Sequence, residues 1–519
     1  MADRGPGAGN EKFCGPRASW QLGSAQGEKR KVKRSTPVIV LAALLVLGVL
    51  ALPGQRAGTL AQGRVLVLGV DGGTWDVIVP MIEAGELPAL AGLYRHGVHG
   101  ILKTRPPVIS PVVWSTMFTG KLPAEHGVLN WKTSHSTHRK VKATWNIASD
   151  AGLRSHVYNV PGSWPPEQVN GRMASGFPLS GSTIGGSTGE VYDLSLADPS
   201  DGNRIFEDNE TAIRGAARGL EPGQWSDWFD VGALRKPALK GRMRVRKLAP
   251  DRIYATPFYR SDAGLVVTWP EELAEELRAE LGQAYIPEGP GWSRHAEPDT
   301  PTFLAEHLAQ VSRLQSGAAG LSIADDWQLF IYVHTLVDRV SHPYWAYMRP
   351  DDYEGMDAEK ARRYGEAVPD AYRETDRQLG RLLAEIDDDV YVVVVSDHGF
   401  KSSKNRSLLI GTHDFDGIYL VAGPGIEPGD GPETNIEDVA PTLLYLLGLP
   451  GAADMVGKIF PPVVDSLGGG RLKVASYEDL QRPGNDQPVD KSTWEQLRSL
   501  GYVTGDPPAA RENEAGQAR

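Results

Sequence analysis

The chain has 519 residues, of which 41% are hydrophobic and 23% charged, and 54 Lys and Arg against 65 Asp and Glu leave a formal charge of -11. That length supports a sizeable core, either in several domains or in one large α/β domain with an insertion, and the acidic balance excludes non-specific attraction to nucleic acid or anionic lipid. The single cysteine, Cys14, excludes an internal disulfide framework and a thiolate-rich zinc cage, so any metal here must be held by oxygen and imidazole.

Residues 1–34 are rich in Gly, Ala, Ser and charge and read as a disordered tail, because little apolar surface offsets the entropy of ordering them. The tail ends in the basic run Lys29, Arg30, Lys31, Lys33 and Arg34, and the uncharged stretch 35–55 follows, wholly apolar or small from Val38 to Leu52. Its length lies between a secretory signal and a spanning helix, which needs about 20 apolar residues. The long N-terminal flank and the lack of a small-x-small cleavage site favour an uncleaved signal anchor, with a cleaved signal peptide or a buried core helix as the alternatives. The positive-inside bias then places the tail in the cytoplasm and the rest of the chain outside a cell membrane crossed once.

Arg64 to Val70 is an unbroken apolar, β-branched run of strand length, as expected for a parallel strand buried on both faces. A helix is expected from near Pro88, with Leu87, Leu90, Leu93 and Tyr94 on one side. Further strands are expected at 328–334, 390–396 and 417–422, and helices through Tyr372, Leu379, Leu383 and Ile386 and over 439–447. Strands alternating with helices predict a mostly parallel sheet within a catalytic domain at 63–470. Between about 178 and 300 the pattern breaks into Gly, Pro and Ser clusters, a Trp-containing stretch at 223–231 and the alternating Arg242, Arg244 and Arg246. This reads as an inserted cap beside the site or as surface decoration. The extension 471–519 carries one amphipathic piece, 493–503, and is otherwise polar and partly disordered.

Ligands of open parallel sheets sit beyond the carboxyl ends of the strands. Asp71 follows the first strand, Asp397 and His398 follow the strand over 390–396, and Asp338 comes four residues after the strand ending at His334. A lone Asp after a strand is usually a helix cap. Three together, each with histidine nearby, point instead to a metal site. Asp338 and His342 share a face if that segment is helical, or converge from a loop. His413 lies among glycines just before another strand. Mixed carboxylate and imidazole ligands suit zinc, manganese or iron better than calcium or magnesium. Ser110 is followed by Pro111, which suits a first helical turn, so the serine is either a plain N-cap or a nucleophile at the positive end of a helix.

Taken in order, Asp71, the segment SPVVWSTMFTGKLPAEHG at 110–127, Asp338 with His342, SDHG at 396–399 and His413 resemble the alkaline phosphatase superfamily. Within it the pattern is similar to the nucleotide pyrophosphatase/type I phosphodiesterase group and the related phosphohydrolase/phosphomutases. The resemblance implies an alkaline-phosphatase-like α/β fold, a mostly parallel sheet sandwiched by helices. It implies two divalent metal ions, zinc or alternatively manganese, one held by Asp71, Asp397, His398 and the Ser110 oxygen and the other by Asp338, His342 and His413. It also implies a phosphoserine intermediate on Ser110 and a substrate-binding role for Asn130. Two ions can clamp the attacking and leaving oxygens of an in-line displacement. No arginine stands beside Ser110, whose neighbours are Val108, Ile109, Pro111 and Val112, and this favours a diester over a monoester. Ser110-Pro111-Val112 also departs from the C/S-x-P-x-R segment of sulfatases.

The expected activity is hydrolysis of a phosphoric ester outside the cytoplasmic membrane, the substrate being a small phosphate ester or a lipid or nucleotide diester. No specific nucleic-acid binding is expected. The alternatives are a phosphomutase or phosphotransferase using the same residues, or a catalytically dead binding protein.

Overall fold

The computed structural model describes residues 63–176, 183–184, 190–193, 204–233, 236–256, 258–260, 267–281, 300–405, 409–468 and 473–478. The expected anchor at 35–55 and the piece at 493–503 lie outside the described residues. Among the described residues no single helix is long and apolar enough to cross a membrane; the bent pair Trp75–Glu83 and Pro88–His96 meets the length and composition only jointly.

A ten-stranded mixed sheet organises the main core. Its strands are β1 (Arg64–Val70), β2 (Gly97–Lys103), β3 (Ser155–Tyr158), β4 (Gly171–Ala174), β5 (Thr268–Trp269), β6 (Leu329–His334), β7 (Val390–Val395), β8 (Asp416–Ala422), β9 (Gly429–Asp430) and β10 (Thr434–Asn435). They lie in the order β5-β4-β3-β6-β1-β7-β8-β2-β9, with β10 also paired to β2. The strands β4, β3, β6, β1 and β7 run parallel to their neighbours in that series, β1 pairing Val70 with His334 of β6 and Gly69 with Val395 of β7. β8 runs against both β7 and β2, and edge strand β5 runs against β4. The expected strands are therefore present, and the antiparallel β8 and edge strand β5 depart from a uniform parallel series.

β1 is an apolar run without polar alternation because both of its faces are covered. Leu66, Leu68 and Val70 join one buried cluster and Val65 and Val67 the other. The first cluster takes residues from helices α1 (Trp75–Glu83), α2 (Pro88–His96), α4 (Thr300–Ile323), α5 (Leu336–Met348) and α6 (Ala367–Leu383). The second takes residues from α3 (Ser110–Thr119) and α7 (Val439–Leu446), so helices cover both sides of the sheet. Helix α1 falls between β1 and the expected helix at Pro88, in a segment with no helical expectation; Thr74 caps it by accepting from the Asp76 amide.

Within 178–300 the described residues form helix Arg204–Ala217 and two small antiparallel sheets of three and four strands. They share a separate core of Ile213, Ala217, Val231, Met243, Val245, Ile253 and Ala255. Arg244 lies 4.3 Å over the Trp225 ring and 5.2 Å from that of Trp228, a cation–π arrangement. The chain rejoins the main core where Leu273 and Leu277 of helix Leu273–Leu281 enter the first cluster.

Candidate active site

The register brings the candidate residues to one edge of the sheet. β6, β1 and β7 are parallel neighbours, so Asp338, Asp71, and Asp397 with His398, all leave the sheet at its carboxyl edge. β8 is reversed, and for that reason its beginning, three residues after His413, lies at the same edge; Asp416 pairs with Lys103 at the end of β2. β2 in turn delivers the chain to Ser110 at the start of α3.

Two triads result. Asp71, Asp397 and His398 form one, Asp338, His342 and His413 the other, each with ligand atoms within 4.8 Å of one another. In the second, Asp338 Oδ1 is 3.4 Å from His342 Nε2 and 3.3 Å from His413 Nε2. Asp338 and His342 sit one turn apart on α5, which settles the choice between helix and loop. His413 comes from the ribbon of Gly399–Ser402 with Gly411–Asp414, opposite Phe400. The triads adjoin: His398 Nε2 is 3.6 Å from Asp71 Oδ1, 3.5 Å from Asp397 Oδ2 and 3.7 Å from Asp338 Oδ1, and the His398 and His413 rings stack at 3.5 Å.

Each histidine turns the same nitrogen inward. Nδ1 of His342, His398 and His413 faces the main-chain oxygens of Gly411, Gly399 and Val108 respectively. Donation from Nδ1–H fixes the tautomer and leaves the Nε2 lone pair for a cation. Asp71 Oδ1, Asp338 Oδ1, Asp397 Oδ2 and His398 Nε2 are buried with no hydrogen-bond partner among the described residues. Buried carboxylate oxygens left in that state are costly. Burial, then the neighbouring Asp397 and Asp338, push the Asp71 carboxyl well above its ordinary range, and burial followed by Asp338 does the same to Asp397. For Asp338 burial acts upward too, but His342 and His413 outweigh it and hold the carboxyl low. Burial, then His398, lowers His413 to about 3, which keeps its imidazole neutral. Crowded carboxylates, neutral imidazoles and orphaned inward-facing atoms fit divalent cations in both triads.

Ser110 is buried and begins α3, with the cap position on Ile109, so the plain N-cap reading does not describe it. Its segment is tied to both triads: Val108 accepts from His413, and Trp114 Nε1 donates to Asp71 Oδ2 at 3.2 Å. The DGG after β1 folds into a tight turn, Gly72 at φ 74°, and its amide donates to Asp397 Oδ1 at 3.3 Å. A Cβ at Gly72 would stand 3.1 Å from the Asp338 backbone. Asn130 is half-buried in a turn closed by Thr133, with the Thr133 amide donating to its carbonyl. His126, of the same HG segment, is an internal strut: it accepts from the Val128 amide and bonds Thr116, and burial, then Arg139, lowers it to about 3. Phe400 packs edge-on against His342 and lines an open cleft of about 1040 Å³, but none of the six triad residues lines that cleft.

Fold and site together define an α/β protein whose sheet edge gathers two adjoining Asp/His triads beside a buried serine. Residues 65–417 match the family model for type I phosphodiesterase / nucleotide pyrophosphatase, and the chain belongs to that family. It is a hydrolase acting on phosphoric esters. Among solved structures it is similar to a phosphonate monoester hydrolase from Silicibacter pomeroyi, at 15% identity and TM-score 0.37 over 79% of this chain and 77% of that one. A phosphonoacetate hydrolase from Sinorhizobium meliloti 1021, solved with phosphonoacetate, is 14% identical at TM-score 0.32 over 68% of this chain and 59% of that one. Likeness at these scores carries no argument about activity. The thiosulfate sulfurtransferase GlpE of Actinobacillus pleuropneumoniae serotype 3 (strain JL03) is 31% identical over 90 residues, 17% of this chain and 82% of that protein. A stretch that short cannot hold a site running from Asp71 to His413.

Proposed function

We propose that this chain is a metal-dependent phosphoric ester hydrolase in which Ser110 is the nucleophile, acting on a diester in preference to a monoester. The observation that carries this reading is the set of buried, unpartnered oxygens of Asp71, Asp338 and Asp397 facing the Nε2 atoms of the same two triads. Asp71, Asp397 and His398, with the Ser110 oxygen, would hold one divalent ion, and Asp338, His342 and His413 the other. Such ions, when bound, favour the alkoxide form of a serine and offset charge on attacking and leaving oxygens.

The protein's own residues do the rest. Ser110 stands at the N-terminus of α3, where the helix dipole favours an alkoxide and the phosphoryl oxygens it meets. Ser110 Oγ gives up its proton and forms the new bond to phosphorus as the bond to the leaving oxygen breaks; that oxygen takes up a proton and departs as an alcohol, and the phosphoserine left behind keeps the second ester group of a diester. Water then cleaves the Ser110 Oγ–P bond and returns the hydroxyl. The apolar neighbours Val108, Ile109, Pro111 and Val112 supply no cation for a second phosphoryl charge, and this supports a diester. We place the catalytic part outside the cytoplasmic membrane, held by 35–55, on the basic run before that apolar stretch.

The test is metal content and hydrolysis by the purified full-length chain on p-nitrophenyl phosphate, bis-p-nitrophenyl phosphate and p-nitrophenyl thymidine monophosphate. The expected result is two metals per chain and Ser110-dependent cleavage, fastest on a diester. Two metals without release from any ester would favour phosphoryl transfer to another acceptor, and no metal would overturn the reading.

A further inference from the structure

β1 carries a glycine, Gly69, two residues before Asp71 in an otherwise bulky apolar run. A Cβ there would stand 2.6 Å from Cη2 and 3.1 Å from Cζ3 of Trp114 and 2.9 Å from Cγ2 of Val333, so the indole and Val333 together occupy the space a side chain would need. Trp114 is fully buried and comes one helical turn after Ser110 on α3. Its ring stacks on Phe118 with centroids 5.8 Å apart, which fixes the plane of the indole. Held in this way, its Nε1–H meets Asp71 Oδ2 at 3.2 Å, while Asp71 Oδ1 faces the triads with no hydrogen-bond partner among the described residues.

We propose that Trp114 is a positioning residue for the Asp71 carboxylate: it occupies one oxygen so that only the other is presented to a metal, and it locks that ligand to the helix that starts at Ser110. This rests on the two-metal reading above. The two oxygens of a free carboxylate are equivalent and can bind a cation together. An indole N–H on Oδ2 removes the equivalence, limits Asp71 to a single donor atom and keeps the other positions on the ion open. The same bond makes the distance between Asp71 and the start of α3 a property of a rigid ring rather than of a loop.

The experiment compares the full-length wild-type chain with Trp114→Phe, which keeps an aromatic ring on α3 but removes the N–H together with part of the bicyclic indole. Gly69→Ala serves as a second variant that displaces the indole by a different route. Metal per chain, release rate to a chelator and the visible spectrum of the cobalt-loaded protein are measured alongside kcat and KM. In both variants one of the two ions should leave about 10- to 100-fold faster, the range found when an outer-shell partner is removed. The other ion should be unaffected. The cobalt bands of the weakened site should shift and lose intensity as Asp71 swings to two-oxygen binding, and kcat should fall more than KM changes. A merely structural role would lower melting without moving those bands. Wild-type release rates and spectrum in Trp114→Phe would overturn the proposal while leaving the two-metal reading intact; fewer than two metals in the wild-type chain would bring down both.

Discussion

The two triads are built from different parts of the fold. Asp71, Asp397 and His398 stand at the ends of two central strands, at 0–1% exposure, and contribute two carboxylates to one imidazole. Asp338, His342 and His413 come from a helix and a peripheral ribbon, and reverse that ratio. The first triad is therefore the richer in carboxylates and the deeper of the two, while the second has a single carboxylate between two imidazoles and rests in part on a small two-stranded element. The difference teaches that the sheet itself sets the geometry of the first triad, whereas that of the second depends on how well a ribbon is seated.

Asp397→Asn is the change expected to matter most, because it removes a fully buried charge from the strand-borne triad. It should lose one metal and at least about 10³-fold in turnover, read by metal analysis and steady-state rates, since residues acting as one unit fail together. Ser110→Ala should match that loss in rate while both metals stay bound; a variant that turned over normally would remove Ser110 from the chemistry. His413→Asn should release the ribbon-side ion and slow turnover by more than about 100-fold, beyond the usual outer-shell effect. Phosphoserine should then accumulate and be visible by mass spectrometry.

Acidity separates the triads once chelation has emptied them. Asp71 and Asp397 are raised above the ordinary 3.8, so the folded chain binds their protons more tightly than the unfolded one. Their contribution to stability should fall as pH rises from 3.8 through the raised values. Asp338 is lowered, so its contribution is present above 3.8 and is lost only as pH drops below it. Melting of chelated Asp397→Asn and His413→Asn against pH should show the first trend weakened only in the former, because burial still raises Asp71. The smallest effect belongs to Glu374 on α6. Burial works to raise it, but Arg313, Arg377 and Gln378 hold it at about 2 against an ordinary 4.5. Glu374→Gln should lower the melting temperature near neutrality, and the difference should shrink as pH falls from 4.5 toward 2.

Much of the site was legible in the sequence, because a buried strand ending in an acid is a local pattern and three such strands converge if they are parallel. The pairing of Asp338 with His342 was equally local. Less legible was the way His413 arrives, since that depends on β8 running antiparallel. Nothing in GTHDFDG states a strand direction. Nothing local to Trp114 signals a link to the site, and only a contact with Asp71 across 43 residues shows it. Likewise the Gln378 and Ser312 bonds that enclose His334 span 44 and 22 residues and leave no short-range signal.

The three imidazoles each turn Nδ1 to a main-chain oxygen, of Gly411, Gly399 and Val108. Lengthening or shortening the chain is therefore more dangerous here than changing its composition. Inserting a single residue between Gly411 and His413 would slip the ribbon register and turn the imidazole to the opposite face, whereas many substitutions at Lys401 or Thr412 would leave it in place. Sequence drift around this centre should accordingly take the form of replacements, with gaps confined to stretches outside the two strands of the ribbon.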